Sequence, residues 1–210
     1  MPSESPIHRD LPAFSKHRLE ALTDGIFAVA MTLLVIEFKL PEPATIAVPN
    51  DLLRGIAHQI PTFIAWTISF FVLGIFWTVQ QRVFHFVRHV DEPLSWLVIA
   101  YLGLVSLMPF ASALVGQYGT ILFSQIINSA HMIALSVASL LITRYVCRHP
   151  ELWLTEPPTA FYRAARFRTI SLVFVALLAI GITAAAPGLG GMAFILMLPI
   201  SRFSRRLERR

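Results

Sequence analysis

Residues 18–41 read Arg-Leu-Glu-Ala-Leu-Thr-Asp-Gly-Ile-Phe-Ala-Val-Ala-Met-Thr-Leu-Leu-Val-Ile-Glu-Phe-Lys-Leu-Pro. An apolar run of membrane length opens here on Arg18 and Asp24 and stops at Glu37, Lys39 and Pro41. A spanning helix needs roughly 20 mostly apolar residues, because each adds about 1.5 Å against a hydrocarbon core of about 30 Å. Charges at the mouth of a span reach water. Thr32, the single polar residue in the apolar middle, instead needs a partner or a water-filled face. The pattern points to a helix with one face turned toward something other than lipid.

The rest of the chain follows suit. Of 210 residues 56% are hydrophobic and only 14% charged, where a soluble domain carries about a quarter. This is the composition of an all-α integral membrane protein. The net charge of +5 does not signal nucleic acid, because the basic residues lie between hydrophobic stretches and not along one amphipathic stripe. Cys147 is the only cysteine, which excludes an internal disulfide and a multi-cysteine metal site. No metal or cofactor is expected. Basic residues precede the first apolar run as in a signal peptide, but Glu37-Phe38-Lys39 is a poor cleavage site, so the run is expected to be retained.

Six segments have spanning length: about 20–40, 58–80, 94–115, 120–146, 168–187 and 189–204, read as one transmembrane unit over 1–210. The last two are separated only by the turn signal Pro187-Gly188-Leu189-Gly190-Gly191, and Pro109 should kink or end the third. Six spans put both termini on one side. On that side fall 15 of the 17 Lys and Arg residues, leaving only Lys39 and Arg54 outside. The positive-inside rule then places both termini in the cytoplasm. The inner connection 147–167 is expected to be part interfacial helix anchored by Trp153 and Tyr162.

Helical positions i, i+3, i+4 and i+7 share a face. From Val29 that face holds Val29, Thr32, Leu33 and Ile36, and backwards it continues to Gly25 beside Asp24; the opposite face carries Phe27, Ala30, Met31 and Leu34. If four such helices met at an axis they would stack rings of Val29, Thr32 or Leu33, and Ile36 over about 10 Å. Apolar rings gate by dewetting, and hydroxyl rings replace part of an ion's hydration shell. The same stripe is equally the pattern of ordinary helix packing, with Thr32 bonding its own backbone. Elsewhere, Asn128 and His131 share a face inside the fourth span and are expected to bond between helices, a proton relay being the alternative. The i, i+4 pair His85 and His89 reads as a solvated helix end, not a metal site. The stretch Val115-Gly116-Gln117-Tyr118-Gly119 echoes a carbonyl selectivity filter, but with no pore half-helix before it a turn is the better reading. The arginine-rich tail at 202–210 suits anionic lipid headgroups.

Several of these motifs resemble the transmembrane protein 175 family of potassium channels, found in animal endosomes and lysosomes and in bacterial membranes. Arg18 followed by Leu22-Thr23-Asp24 is similar to that family's Arg, three residues, then Phe-Ser-Asp, with an apolar residue and a hydroxyl kept. Phe70 to Trp77 in the second span and Ser106 to Leu114 in the third also look like its bacterial members. The resemblance implies a six-helix subunit, a homotetramer in the plasma membrane, and passive conduction of K+ through a pore lined by the first helix of each subunit. Carried over residue by residue, it implies a constriction at Val29, Leu33 and Ile36, a selectivity layer at Thr32, and a structural polar network of Arg18, Thr23, Asp24 and Trp77. Val79-Gln80-Gln81 stands where the family often has a histidine-rich run, which removes the charge gain a histidine could offer. A valine at position 29 leaves a wider constriction than the leucine or isoleucine expected there. The competing function is a secondary transporter coupled at Asp24 or His131, a class marked by inverted repeats and broken helices that this sequence does not display. An enzyme needs a cluster of nucleophile, base and metal ligands that is likewise missing from the sequence.

Overall fold

The computed structural model describes residues 15–38 and 49–208. Lys39 and Pro41, expected to close the first span, and Arg9, Arg209 and Arg210 lie outside the described residues. Among those described the fold is all-helical, and five stretches are long and apolar enough to cross a membrane.

The first span is helix α1, Lys16–Leu33, extended by a 3-10 helix, Leu34–Glu37. Its buried residues Leu19, Thr23, Phe27 and Ala30 recur at helical spacing and pack toward α3 (Ile60–Phe86) and α4 (Glu92–Ser106). The Phe27 ring, for example, lies 6.1 Å from that of Tyr101 in α4. Between the first two spans sits α2, Pro49–His58, a short amphipathic helix with Leu53 and Ile56 exposed.

Pro61, Pro93 and Pro109 each fall in the first turn of a helix, where the missing N–H costs nothing. The Asp91 carboxylate caps α4 by accepting the Leu94 N–H at 3.0 Å. Pro109 acts as expected: the third span breaks at Leu107 and resumes as α5, Met108–Tyr118. The Leu104 carbonyl at that break is bonded to the His131 Nε2 of α6, 2.9 Å away, so His131 does join helices. The filter-like stretch is the last turn of α5, and no pore loop is present among the described residues.

Helices α6 (Leu122–Arg148) and α7 (Thr159–Ala185) form the most intimate pair. Small side chains make this possible: Ser129 donates to the Ala176 carbonyl at 3.2 Å, and Ser136 Oγ meets Thr169 Oγ1 at 3.2 Å. α7 starts well before residue 168, and α3 runs past residue 80, because basic residues continue both helices beyond their apolar windows. The connection between α6 and α7 is correspondingly short. It holds only a 3-10 turn, Pro150–Leu152, and a bridge from Trp153 to Val87, so Tyr162 belongs to α7 and not to an interfacial helix.

The sixth expected span, 189–204, is a composite and not one of the five long helices. A 3-10 helix, Gly190–Leu196, is continued by α8, Met197–Glu208, and both lie along α7. At about 2.0 Å per 3-10 residue and 1.5 Å per α residue the two together reach roughly 32 Å. The turn before it needs Gly188, whose φ is +92° and whose N–H donates to the Gly119 carbonyl at 3.1 Å. Gly190 needs its missing side chain: a Cβ there would fall 1.9 Å from Thr183 Oγ1 and 2.3 Å from the Ala179 carbonyl oxygen.

The basic ends meet at one end of the bundle. Leu154 N–H donates to the Phe86 carbonyl at 2.7 Å, Tyr145 donates to Asp91 Oδ2 at 2.5 Å, and Arg168, buried in α7, donates to Ser204 of α8 at 3.2 Å.

Candidate functional site: the outward face of the first helix

The side of α1 that periodicity singles out is the side the chain leaves uncovered. Val29 is 56% exposed, Leu33 40% and Ile36 66%, and Thr32, Gly25 and Leu22 are exposed with them. Phe27, Ala30 and Leu34 on the reverse are buried and Met31 is half-buried. Among the described residues the stripe is therefore left largely unpacked. It spans about 11 Å from Val29 to Ile36 at ordinary helical rise.

Thr32 carries the one hydroxyl on the apolar part of this face. Its Oγ1 donates to the Val29 carbonyl at 2.8 Å. With its proton held inside the helix, the exposed oxygen keeps both lone pairs for accepting, and such an oxygen can coordinate a cation.

The helix is pinned to α3 at two heights. Toward the arginine-rich end, Asp24 Oδ1 accepts from Trp77 Nε1 at 2.8 Å and from Gln81 Nε2. A carboxylate taking two N–H donors makes bonds stronger than neutral ones. At the other end Phe38, just past the 3-10 turn, lies 5.9 Å from the Trp66 ring and 6.1 Å from that of Phe63.

Of the four residues expected to form a polar network, the structure thus joins Asp24 and Trp77. Thr23 is buried and donates to its own helix at Leu19, 2.8 Å away. Arg18 is exposed and forms no ion pair with Asp24 among the described residues. Helix geometry explains this: six residues at 100° each put the two side chains about 120° apart and about 9 Å along the axis. Gln81 is the member that motif reading passed over, although its i, i+4 relation to Trp77 places both on one face. Gln80 does the opposite, pointing inward, fully buried, with neither amide atom hydrogen-bonded among the described residues.

Comparison with known proteins converges on the same helices. The family model for the endosomal/lysosomal potassium channel TMEM175 matches residues 18–109. A potassium channel of Streptomyces collinus is 36% identical over 101 residues, covering 48% of this chain and 48% of its own length. The endosomal/lysosomal proton channel TMEM175 of Gallus gallus is 28% identical over 109 residues, 50% of this chain and 22% of its own. The chain therefore matches about half the length, or less, of these curated relatives. The fold likeness is wider. The crystal structure of a lysosomal potassium-selective channel TMEM175 homolog from Chamaesiphon minutus superposes with a TM-score of 0.74 at 24% identity, over 90% of this chain and 97% of that one. Sequence likeness across the first three spans and fold likeness across nearly the whole chain make this multi-pass membrane protein similar to TMEM175 channels.

Proposed function

We propose that this chain is a K+-permeable channel in which four copies surround an axis and turn the Val29, Thr32, Leu33 and Ile36 face of α1 toward it. One observation carries the proposal: this stripe, on the span that opens the family match, is uncovered by the chain itself while the other side of the same helix is packed. Rings of Val29, Leu33 and Ile36 make an apolar neck where K+ loses much of its water, and Thr32 oxygens offset part of that loss. Sodium holds its water more strongly, so such a neck favours potassium. Selectivity stays modest, because one hydroxyl ring offers fewer ligands than a stack of carbonyls.

In this reading Asp24, Trp77 and Gln81 set the tilt of α1 and do not contact the ion. No cofactor is needed, and lipid is the only other partner. The arginine-rich end of the bundle faces the cytoplasm of a bacterial cell, across its plasma membrane. The test is current through the reconstituted full chain in a planar bilayer. Reversal near the potassium equilibrium potential, with no dependence on a second ion or proton gradient, supports conduction. Obligatory coupling to either gradient would place the protein among secondary transporters.

A further inference from the structure

Between the helix-joining turns at the end opposite the arginines, the subunit holds a cavity of about 620 Å³. Its walls are α3, α5, α6, the 3-10 helix Gly190–Leu196 and the end of α2 at Ala57 and His58, and no described residue of α1 lines it. The lining runs from Gln59, Gly119 and Gly188 at the helix-joining turns to Val72 within α3 and Met132 within α6. From Ile60, the start of α3, to Val72 is about 18 Å at ordinary helical rise. The cavity is thus deep and separate from the proposed pore face. Its volume falls within the roughly 300–1,000 Å³ of small-ligand sites.

Two features of the lining select an occupant. Among the described residues no Lys, Arg, Asp or Glu borders the cavity, and Ile68, Val72, Met132 and Phe194 give it apolar walls. His58, at the end of α2, is the one titratable side chain among the described lining residues, and an ionised group that passes it would find no opposite charge to replace lost water. Yet three polar side chains in the wall lack an internal partner. Asn128 and Ser112 are each 5% exposed and Ser69 6%, and none forms a side-chain hydrogen bond with a described residue. Their neighbours on α6 behave otherwise: Ser124 bonds the Tyr118 carbonyl and Ser129 that of Ala176. Buried polar groups are ordinarily paired, and Asn128 alone offers two donors and an acceptor.

We propose that this cavity binds a neutral amphiphile, a hydrocarbon chain bearing hydroxyl or amide groups, of the monoacylglycerol kind. Its polar groups pair with Asn128, Ser69 and Ser112, and its hydrocarbon lies against Ile68, Val72, Met132 and Phe194. This inference does not depend on the channel reading.

The probe is monolaurin carrying a photoreactive diazirine on its acyl chain, added to the detergent-purified full chain and mapped by peptide mass spectrometry. Labelling is expected on the α3 and α6 peptides around Val72 and Met132. Unlabelled monolaurin should compete at least tenfold better than laurate at pH 9, which has the same chain and an ionised head. Asn128→Ala should weaken labelling fivefold or more, and Ser69→Phe, which fills the cavity, should abolish it. Native mass spectrometry before any addition separates the sources: a co-purified neutral lipid identifies the bilayer as supplier, and a complex formed only on addition identifies a water-borne ligand. Labelling centred on the lipid-facing Phe174 and Leu177 would overturn the proposal, as would equal competition by laurate in the unmodified protein. Undiminished labelling of Ser69→Phe would equally defeat it and leave the cavity to water.

Discussion

At Thr32 the hydroxyl proton is committed to the Val29 carbonyl, so the side chain meets the outside as an acceptor. Removing it takes away the one oxygen of the exposed stripe's apolar part without touching the packed side of α1. Thr32→Ala should therefore lower the potassium-over-sodium permeability ratio about three- to tenfold, roughly 0.6–1.4 kcal/mol, with assembly intact. Reversal potentials under bi-ionic conditions measure this, and an unchanged ratio refutes the role. Asp24 calls for a different outcome. Trp77→Phe deletes one of its two donors at a partly exposed site and should cost about 1 kcal/mol of stability, read as a lower unfolding midpoint in detergent. Asp24→Ala strands both Trp77 and Gln81 and should cost more, with conductance per assembled channel kept. A stable Asp24→Ala assembly that no longer conducts would instead assign Asp24 to ion contact.

Elements differ in how plainly the sequence announces them. The sidedness of α1 was legible because a period of 3.6 residues sorts Val29, Leu33 and Ile36 from Phe27, Ala30 and Leu34, and burial follows that sorting. Pro109 announced the α4–α5 break for an equally local reason, the missing N–H. Helix ends were not legible where arginines continue a helix past its apolar window, as Arg163 and Arg166 do in α7. The composite sixth span was hidden for another reason. It opens as a 3-10 helix at Gly190, which sits so close to α7 that no side chain fits, a tertiary fact that no window of sequence contains. Motif matching found Asp24 and Trp77 but overlooked Gln81, and neither periodicity nor motif could show that Asn128 faces a cavity while His131, one turn on, bridges to Leu104. Three glycine substitutions test this account of the elements. Gly190→Ala drives a methyl into the Ala179 carbonyl and should cost about 3 kcal/mol or more. Gly188→Ala, at positive φ, should cost about 1–2 kcal/mol, whereas Gly181→Ala, with open space around it in mid-helix, should be neutral or gain up to about 1 kcal/mol. Thermal unfolding in one detergent ranks them, and a Gly190→Ala protein as stable as Gly181→Ala would show that α7 and the sixth span are not so closely joined.

For the whole molecule, an exposed apolar stripe has two possible destinations in a membrane, lipid or a shared axis, and the chain exposes two such stripes of different make-up. α7 exposes Phe174 at 67% and Leu177 at 59% on an apolar stripe, as a lipid face does. α1 exposes Val29 and Ile36 to a similar extent but sets Thr32 among them and narrows toward Gly25, with small side chains at Ala28 and Ala21. Small residues let helices approach an axis closely. Water access separates the two. In a Cys147→Ser background, Val29→Cys and Ile36→Cys should react with a charged, membrane-impermeant thiol reagent and lose most of their current, because one blocked ring closes the only narrow path. Phe174→Cys should neither react nor change the current. If Val29→Cys proves as inert as Phe174→Cys, the stripe faces hydrocarbon and conduction must run elsewhere. If it reacts while the purified protein has the mass of a single subunit, the water it meets is not a pore shared by four copies, and the channel assembly proposed here fails at its largest scale.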